Sequence, residues 1–315
     1  MKNDAVSIII PTKNAEQYLE EQLQAIFAQG GVPRPEVVIV DSGSTDGTRQ
    51  IASRHSVRLI SIKPEEFNHG ATRNLGARGA EGEYLVFLTQ DATPADGSWL
   101  KNLLKPLIEN PAAAGAFSRH IPRPGCSLPL ARQIEEEWPQ AGGRERIVKR
   151  VSSAEELEAR KPYYVYFANT SSCLRRSVWE RFPFRDVDFG EDVDWAERVL
   201  LAGYAIVYEP DSAVLHSHDY TLREQMRQHY DYGRMVRSAA LAPAVTLRGS
   251  AKTFMVSLRD DLRYIRRRGL PLRQYPFSIP FHACCVLGRW LGEHSESLPQ
   301  RLRTPLSRQG AIKDR

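Results

Sequence analysis

No stretch of this chain approaches the roughly 20 consecutive apolar residues that a helix needs to cross a bilayer. Cysteine is scarce: Cys126, Cys173, Cys284 and Cys285 are the only four in 315 residues, and none stands at a zinc-ligand spacing. Vicinal Cys284 and Cys285 make a poor disulfide, so two reduced core thiols and a cytoplasmic protein are expected. Met1-Lys2-Asn3-Asp4 runs straight into an apolar strand, so a secretory signal is not expected. Internal repeats and low-complexity tracts are lacking. Acids are short in one region: from Thr221 to Arg273 twelve bases face only Glu224, Asp231, Asp260 and Asp261. That imbalance, within a chain of net charge +5, points to an anionic partner such as a membrane surface, a pyrophosphate lipid or nucleic acid. A hydrophobic content of 42% suits a soluble globular protein, and 315 residues suffice for one large α/β domain or two small ones.

The first half alternates strand and helix. Val6–Ile10 reads as a fully apolar strand closed by Pro11, and Ala15–Gln29 carries Tyr18, Leu19, Leu23, Ile26 and Phe27 at helical spacing before Gly30-Gly31. Strands follow at Glu36–Val40, Val57–Ile62 and Tyr84–Leu88, with helices from Thr45 or Asp46 to Ser53 and from Gly70 to Ala80. This alternation predicts a mostly parallel, Rossmann-like sheet flanked by helices with right-handed crossovers. Pro106–Gly125 reads as irregular, and Leu128–Glu158 as helical pieces covering one edge. Tyr163–Phe167 reads as a strand, Val178–Phe182 as the close of a short helix and Glu191–Ala202 as a helix. Two short strands, Ala205–Tyr208 and Ala213–His216, precede a helical, basic tail. The expected division is a catalytic domain over 1–220 and a helical region over 221–315.

Chemistry is expected at strand ends. Asp41 follows Val37-Val38-Ile39-Val40, where a carboxylate can accept from a base N–H or a ribose hydroxyl. The same Asp-Ser-Gly-Ser-Thr-Asp-Gly stretch also fits an ordinary turn with a helix cap. Asn68-His69-Gly70-Ala71-Thr72-Arg73 opens a helix whose N–H groups and Arg73 could hold phosphate oxygens. Alternatively, Arg73 is a surface base and Gly76 a close-packing residue. Thr89-Gln90-Asp91-Ala92 follows the Tyr84–Leu88 strand, and Asp91 is either a hard cation ligand or a helix cap. Glu191, Asp192 and Asp194 begin a helix, which the helix dipole favours by itself; one of them as a general base is the functional alternative. If the strand persists through His218, alternation sets His216 and His218 on one face, where an imidazole beside a carboxylate can complete a metal shell.

These segments occur in a familiar order. Ser7-Ile8-Ile9-Ile10-Pro11-Thr12-Lys13-Asn14, Val40-Asp41-Ser42-Gly43-Ser44-Thr45-Asp46-Gly47-Thr48 and Gly70-Ala71-Thr72-Arg73-Asn74-Leu75-Gly76 resemble glycosyltransferase family 2, the inverting transferases of the GT-A fold. The resemblance spans about residues 5 to 220. Glu66-Phe67-Asn68-His69-Gly70 with Thr89-Gln90-Asp91-Ala92 is similar to the bacterial rhamnosyltransferases that use dTDP-L-rhamnose. The resemblance implies that Pro11, Thr12, Asn14 and Asp41 hold the nucleoside. His69, Arg73, Thr89 and Gln90 join them in binding the donor, Arg73 near the diphosphate. Asp91 is then the metal-binding end of an Asp-x-Asp motif, and Glu191-Asp192 is the Glu-Asp pair with Asp192 as base. His216 is the late metal-associated histidine, with His218 the near alternative. Thr89 stands where the first acid of Asp-x-Asp belongs; a hydroxyl can bond ribose but is a poor metal ligand.

The implied function is inverting transfer of a sugar to a hydroxyl of a saccharide or lipid-linked acceptor in bacterial surface polysaccharide synthesis. L-rhamnose from dTDP-β-L-rhamnose is the implied sugar. Mg²⁺ or Mn²⁺ is the implied cofactor, nucleic acid is not an expected partner, and the basic tail suggests peripheral docking on the inner face of the plasma membrane. Two rivals are a nucleotidyltransferase on a related sheet and a non-catalytic nucleotide- or RNA-binding module. Pro11-Thr12-Lys13-Asn14-Ala15 lacks the glycines of the first rival's phosphate loop, and the second has no need for Glu191-Asp192 or His216-Ser217-His218.

Overall fold

The computed structural model describes residues 5–137, 143–218 and 220–308. β1 (Val6–Thr12) is buried except at Pro11, as a strand covered on both faces must be. α1 (Glu16–Phe27) turns Leu19, Gln22, Leu23 and Ile26 inward. β2 (Glu36–Asp41), α2 (Thr48–Ser53) and β3 (Arg58–Ser61) follow. α3 (His69–Gly79) is capped by Asn68, whose side-chain oxygen accepts from the N–H groups of Gly70 and Ala71 at 2.8 and 3.0 Å. β4 (Tyr84–Leu88) is wholly buried. It leads through Thr89–Ala92 to the two-residue β5 (Thr93–Pro94).

From here the structure departs from expectation. α4 (Trp99–Glu109) runs through Pro106, which sits near its C-terminal end, and β6 (Ala113–Ile121) is a nine-residue strand where irregular chain was expected. Alanine and glycine carry little strand signal. They are present because the strand is crowded: a Cβ on Gly115 would lie 3.0 Å from the Cys173 carbonyl and 3.0 Å from the Trp195 ring. After α5 (Leu128–Arg132) come β7 (Ile147–Lys149), α6 (Ala154–Ala159) and α7 (Lys161–Tyr164). Tyr163–Phe167 is therefore no strand; Pro162 starts a helical turn there. The strand is β8 (Ser171–Arg175), a stretch to which the sequence reading assigned no element. α8 (Arg176–Arg181) and α9 (Glu191–Leu201) precede β9 (Ala205–Leu215). The two short strands expected here are one, and its pairing with β6 slips between Ser118–Glu209 and Arg119–Ala213, so Pro210 falls in a bulge. α10 (Leu222–Ser238), α11 (Leu247–Arg268), α12 (Ser278–Glu293) and α13 (Gln300–Leu306) complete the chain.

The strands form one sheet in the order β3-β2-β1-β4-β8-β6-β9-β5, with β7 also on β9. The sheet is mixed. β3-β2-β1-β4 and β6-β9 pair in parallel, whereas β8 is antiparallel to both its neighbours, as are β5 and β7 to β9. The chain divides into two compact units, Met1–Arg123 with Pro139–Ser217, and Pro124–Trp138 with His218–Arg315. The first holds the sheet and a core that includes Ile8, Ile10, Leu23, Val86, Trp99 and Leu103. The second is helical, with Leu130, Ile134, Phe281 and Cys285 in one apolar cluster and a buried Arg132–Asp261–His282 network beside them.

Gly76 seats α3 on the sheet: a Cβ there would lie 2.5 Å from Ile9 Cγ2 and 3.1 Å from Val40 Cγ2. Gly76→Ala is expected to destabilise the fold by about 1–3 kcal/mol through overpacking, seen as a lower urea midpoint. An unchanged midpoint would mean that α3 can shift without cost.

Candidate active site

β1 and β2 run in parallel and end together, with Thr12 opposite Asp41. Asp41 is fully buried and accepts from the Thr12 hydroxyl at 3.3 Å, the Ser44 N–H at 3.1 Å and the Ser44 hydroxyl at 2.5 Å. Its present bonds are those of a turn, the alternative its sequence allowed. Asn14 stands at φ 50°, a backbone angle asparagine tolerates, and its side-chain oxygen accepts from Thr45 N–H at 2.9 Å. Gln90 ties this edge to the end of β4: it accepts from Lys13 N–H at 2.7 Å and donates to the Lys13 carbonyl at 3.1 Å. Pro11, Thr12, Asn14, Asp41 and Gln90 thus share one end of the sheet, where β1, β2 and β4 finish.

Arg73 is no surface base. It is 4% exposed on α3 and meets the Glu191 carboxylate at 3.1 Å, while the same nitrogen donates to the His69 carbonyl at 3.1 Å. His69 is packed edge-on to Phe67 and Phe189. Gly190, at φ 85°, lets the chain enter α9 directly, so Glu191 and Asp192 occupy its first turn. Asn169 reaches both acids: its side-chain amide donates to Glu191 at 3.1 Å and its backbone N–H to Asp192 at 3.1 Å. A second backbone donor, Val193 N–H, lies 2.9 Å from Asp192.

The two acids are driven apart in ionisation. Burial alone would raise Glu191, but the Arg73 charge, then His69 and the Asn169 amide, outweigh it and hold its carboxyl below the usual range. Asp192 is pushed up to about 7 by burial and by the adjacent Glu191 charge, which the two backbone donors and Arg73 only partly offset. One acid is a fixed anion, and its neighbour can take or release a proton near neutral pH.

A third group gathers at the ends of β4 and β9. Ligand atoms of Asp91, His216 and His218 lie within 4.8 Å of one another, and His216 Nε2 is 3.6 Å from Asp91 Oδ1. The chain leaves β9 at Leu215, and a bond from His216 N–H to the Ile121 carbonyl at 2.9 Å keeps it in line. The His120 ring packs edge-on to His216 at 5.3 Å. One carboxylate oxygen and two imidazole nitrogens can hold a divalent cation of intermediate softness. The Thr89 hydroxyl is buried, and no hydrogen-bond partner for it occurs among the described residues.

Three residues escaped the sequence reading. Gln22 donates to the carbonyls of Thr89 and Ala92, both at 2.7 Å, and so shapes the turn that bears Asp91. Its signal was present, a polar residue within an apolar helical stripe. Asn169 and Arg123 gave none, because their partners lie 22 or more residues away.

The mixed sheet that gathers this polar end, the buried acid pair and the acid–histidine cluster has the GT-A fold seen in solved glycosyltransferases. The mannosyltransferase PcManGT of Pyrobaculum calidifontis, solved with GDP-Man and Mn²⁺, has the same fold, with a TM-score of 0.59 at 18% identity over 91% of this chain and 86% of that one. The chain belongs to glycosyl transferase family 2, whose model matches residues 7–153. It is 31% identical to the O-antigen chain rhamnosyltransferase RfbN of Salmonella typhimurium, over 93% of this chain and 91% of that protein. It is 32% identical to the O-antigen chain rhamnosyltransferase WbaN of Salmonella anatum, over 93% and 90%.

A carboxyl NMR titration of the free protein is expected to show Asp192 ionising near pH 7. Glu191→Gln removes the charge that helps to raise it, so the Asp192 midpoint should fall. A midpoint unmoved by that substitution would leave burial alone as the cause.

Proposed function

We propose that this glycosyltransferase moves L-rhamnose from dTDP-β-L-rhamnose to a hydroxyl of a saccharide or lipid-linked acceptor, with inversion, in bacterial surface polysaccharide synthesis. The observation that carries the chemistry is Asp192, a carboxylate held by two backbone N–H groups and poised near neutrality. The names of the relatives matched along more than nine-tenths of the chain support the sugar. Asp192 takes the proton of the acceptor hydroxyl as its oxygen bonds to the anomeric carbon. The bond from that carbon to the diphosphate oxygen breaks, and the nucleoside diphosphate leaves with the electron pair. A single displacement turns a β-linked donor into an α-linked product. Asp41, Thr12, Asn14 and Gln90 would receive the nucleoside, with Pro11 in the wall beside them. Thr89 would meet the ribose, and His69 and Arg73 would flank the donor.

Asp91, His216 and His218 would hold a divalent cation whose charge offsets that gained by the leaving diphosphate. Their mixture of carboxylate and imidazole suits Mn²⁺ better than Mg²⁺, which prefers oxygen ligands and water. Glu191, paired with Arg73, would stay ionised and orient α9 rather than carry the proton.

The basic helices suggest a place of work. Among the described residues no helix is long and apolar enough to cross a membrane. α11 exposes Arg248, Lys252, Met255, Arg259, Arg263 and Arg266 along one stripe. Arg259 and Arg263 share Asp260, and Arg267 and Arg268 reach Glu136 and Glu135. Ile265 is buried and cannot serve a docking face, but Met255, Leu272 and Phe277 are exposed. Such a surface suits peripheral contact with an anionic leaflet, at about 1 kcal/mol per basic residue near it.

Tested against a panel of nucleotide sugars, the protein is expected to hydrolyse or transfer dTDP-L-rhamnose in preference to the UDP and GDP sugars. Preference for another donor would remove the rhamnosyl assignment and leave the family. Asp192→Asn should keep donor affinity and lose about 10²–10⁴-fold in turnover; a near-normal rate would remove Asp192 as the base. Separately, the protein should sediment with phosphatidylglycerol vesicles at low ionic strength and be released by salt. Failure to sediment at low salt would sink the docking proposal.

A further inference from the structure

The two segments that bear the candidate metal ligands, 89–93 and 216–218, lie far apart in sequence, and Arg123 touches both. It follows β6 by two residues and its side chain is only 12% exposed. One guanidinium nitrogen donates to the Asp91 carbonyl at 3.1 Å and to the Thr93 hydroxyl at 2.6 Å. Another meets the Glu21 carboxylate of α1 at 3.2 Å. The guanidinium carbon lies 4.7 Å from the centroid of the Tyr18 ring. On the other side, Arg123 N–H donates to the Ser217 hydroxyl at 3.4 Å, directly after His216.

We infer that Arg123 is a positioning residue for the Asp91–His216 cation site, an inference that rests on the metal reading above. A cation beside a metal site is unfavourable unless its charge is balanced. Glu21 supplies that balance, and the bond to Asp91 goes to its main-chain oxygen, which fixes the loop while the carboxylate serves the ion. A lysine could not reproduce this: the planar fork engages Asp91 and Thr93 with one nitrogen and Glu21 with another while stacking on Tyr18. Gln22 holds the same turn from beneath through the carbonyls of Thr89 and Ala92. Arg123 is thus the element that sets the Asp91 turn at a constant distance from the residue following β9.

The test measures Mn²⁺ affinity without donor, by the electron paramagnetic resonance of free Mn²⁺, in wild type, Asp91→Asn, Arg123→Gln, Arg123→Lys and Thr93→Val. Loss of an outer-shell partner typically weakens metal binding about 10–100-fold, and that loss is expected for Arg123→Gln and Arg123→Lys, with a smaller one for Thr93→Val. Nucleotide affinity in EDTA should change by less than about twofold, which a merely disordered variant would not achieve. Should Arg123→Gln fail to fold, Thr93→Val carries the test, since it removes one acceptor and leaves the arginine in place. Normal Mn²⁺ affinity in the arginine variants, or in Thr93→Val if only that one folds, overturns the inference provided that Asp91→Asn loses binding. Equal Mn²⁺ binding by wild type and Asp91→Asn instead overturns the metal reading, and the role of Arg123 with it.

Discussion

The buried ion pair between Arg73 and Glu191 is the interaction on which the rest of the site depends. At 3.1 Å, with both side chains under a tenth exposed, it joins α3 to the first turn of α9. Such a pair adds little net stability, because each charge has lost its water, but stripping it of one partner is costly. Its larger consequence is electrostatic. With Glu191 compensated, Asp192 ionises near neutrality. Without Arg73 the buried Asp192 would face an uncompensated neighbour and stay protonated to higher pH. Two adjacent carboxyls thus ionise in separate ranges because of their surroundings, one a fixed anion and the other able to exchange a proton near neutral pH.

The mixed sheet explains why that pair lies near the ends of β1, β2 and β4. β1, β2 and β4 run in parallel and deliver Thr12, Asp41 and Thr89 to one end. β8 is antiparallel to β4, with Ser171 opposite Leu88, so it begins where β4 finishes. The loop before it therefore emerges at the same edge. Thr89 N–H donates to the Thr170 carbonyl at 3.1 Å, and Asn169, one residue earlier, holds Glu191 and Asp192. An all-parallel arrangement would send that loop to the opposite end of the sheet. β9 runs parallel to β6 and carries His216 out beside Asp91.

The parts that were legible share a cause. β1, β2 and β4 are buried on both faces, so Ile8–Ile10, Val37–Val40 and Leu85–Leu88 are unbroken apolar runs, and α1 and α9 carry one buried stripe each. Local pattern is enough where burial is continuous. β6 and β8 defeated it: Ala113–Ala116 is small because Trp195 and Phe167 press on Gly115, and Ser171–Ser172 is polar because it serves Trp99 and Asn169. The aromatic run Tyr163–Phe167 looked like strand. Its rings instead line the surroundings of buried Lys149, which lies 5.1 Å from the Tyr163 ring and 5.5 Å from those of Tyr166 and Phe117.

The sequence alone determined which strand ends would be polar, which helix would open on acids and which two histidines would lie at the end of the last strand. Those are matters of composition within a few residues. Only the tertiary structure decided that Arg73 is spent on Glu191, that Asn169 joins both acids, and that Gln22 and Arg123 shape the Asp91 turn. The reason is physical: each of these bonds spans 22 to 118 residues of chain, and no local preference encodes a partner at that distance. Such contacts exist only once the sheet order has brought the ends of β1, β4, β6, β8 and β9 together.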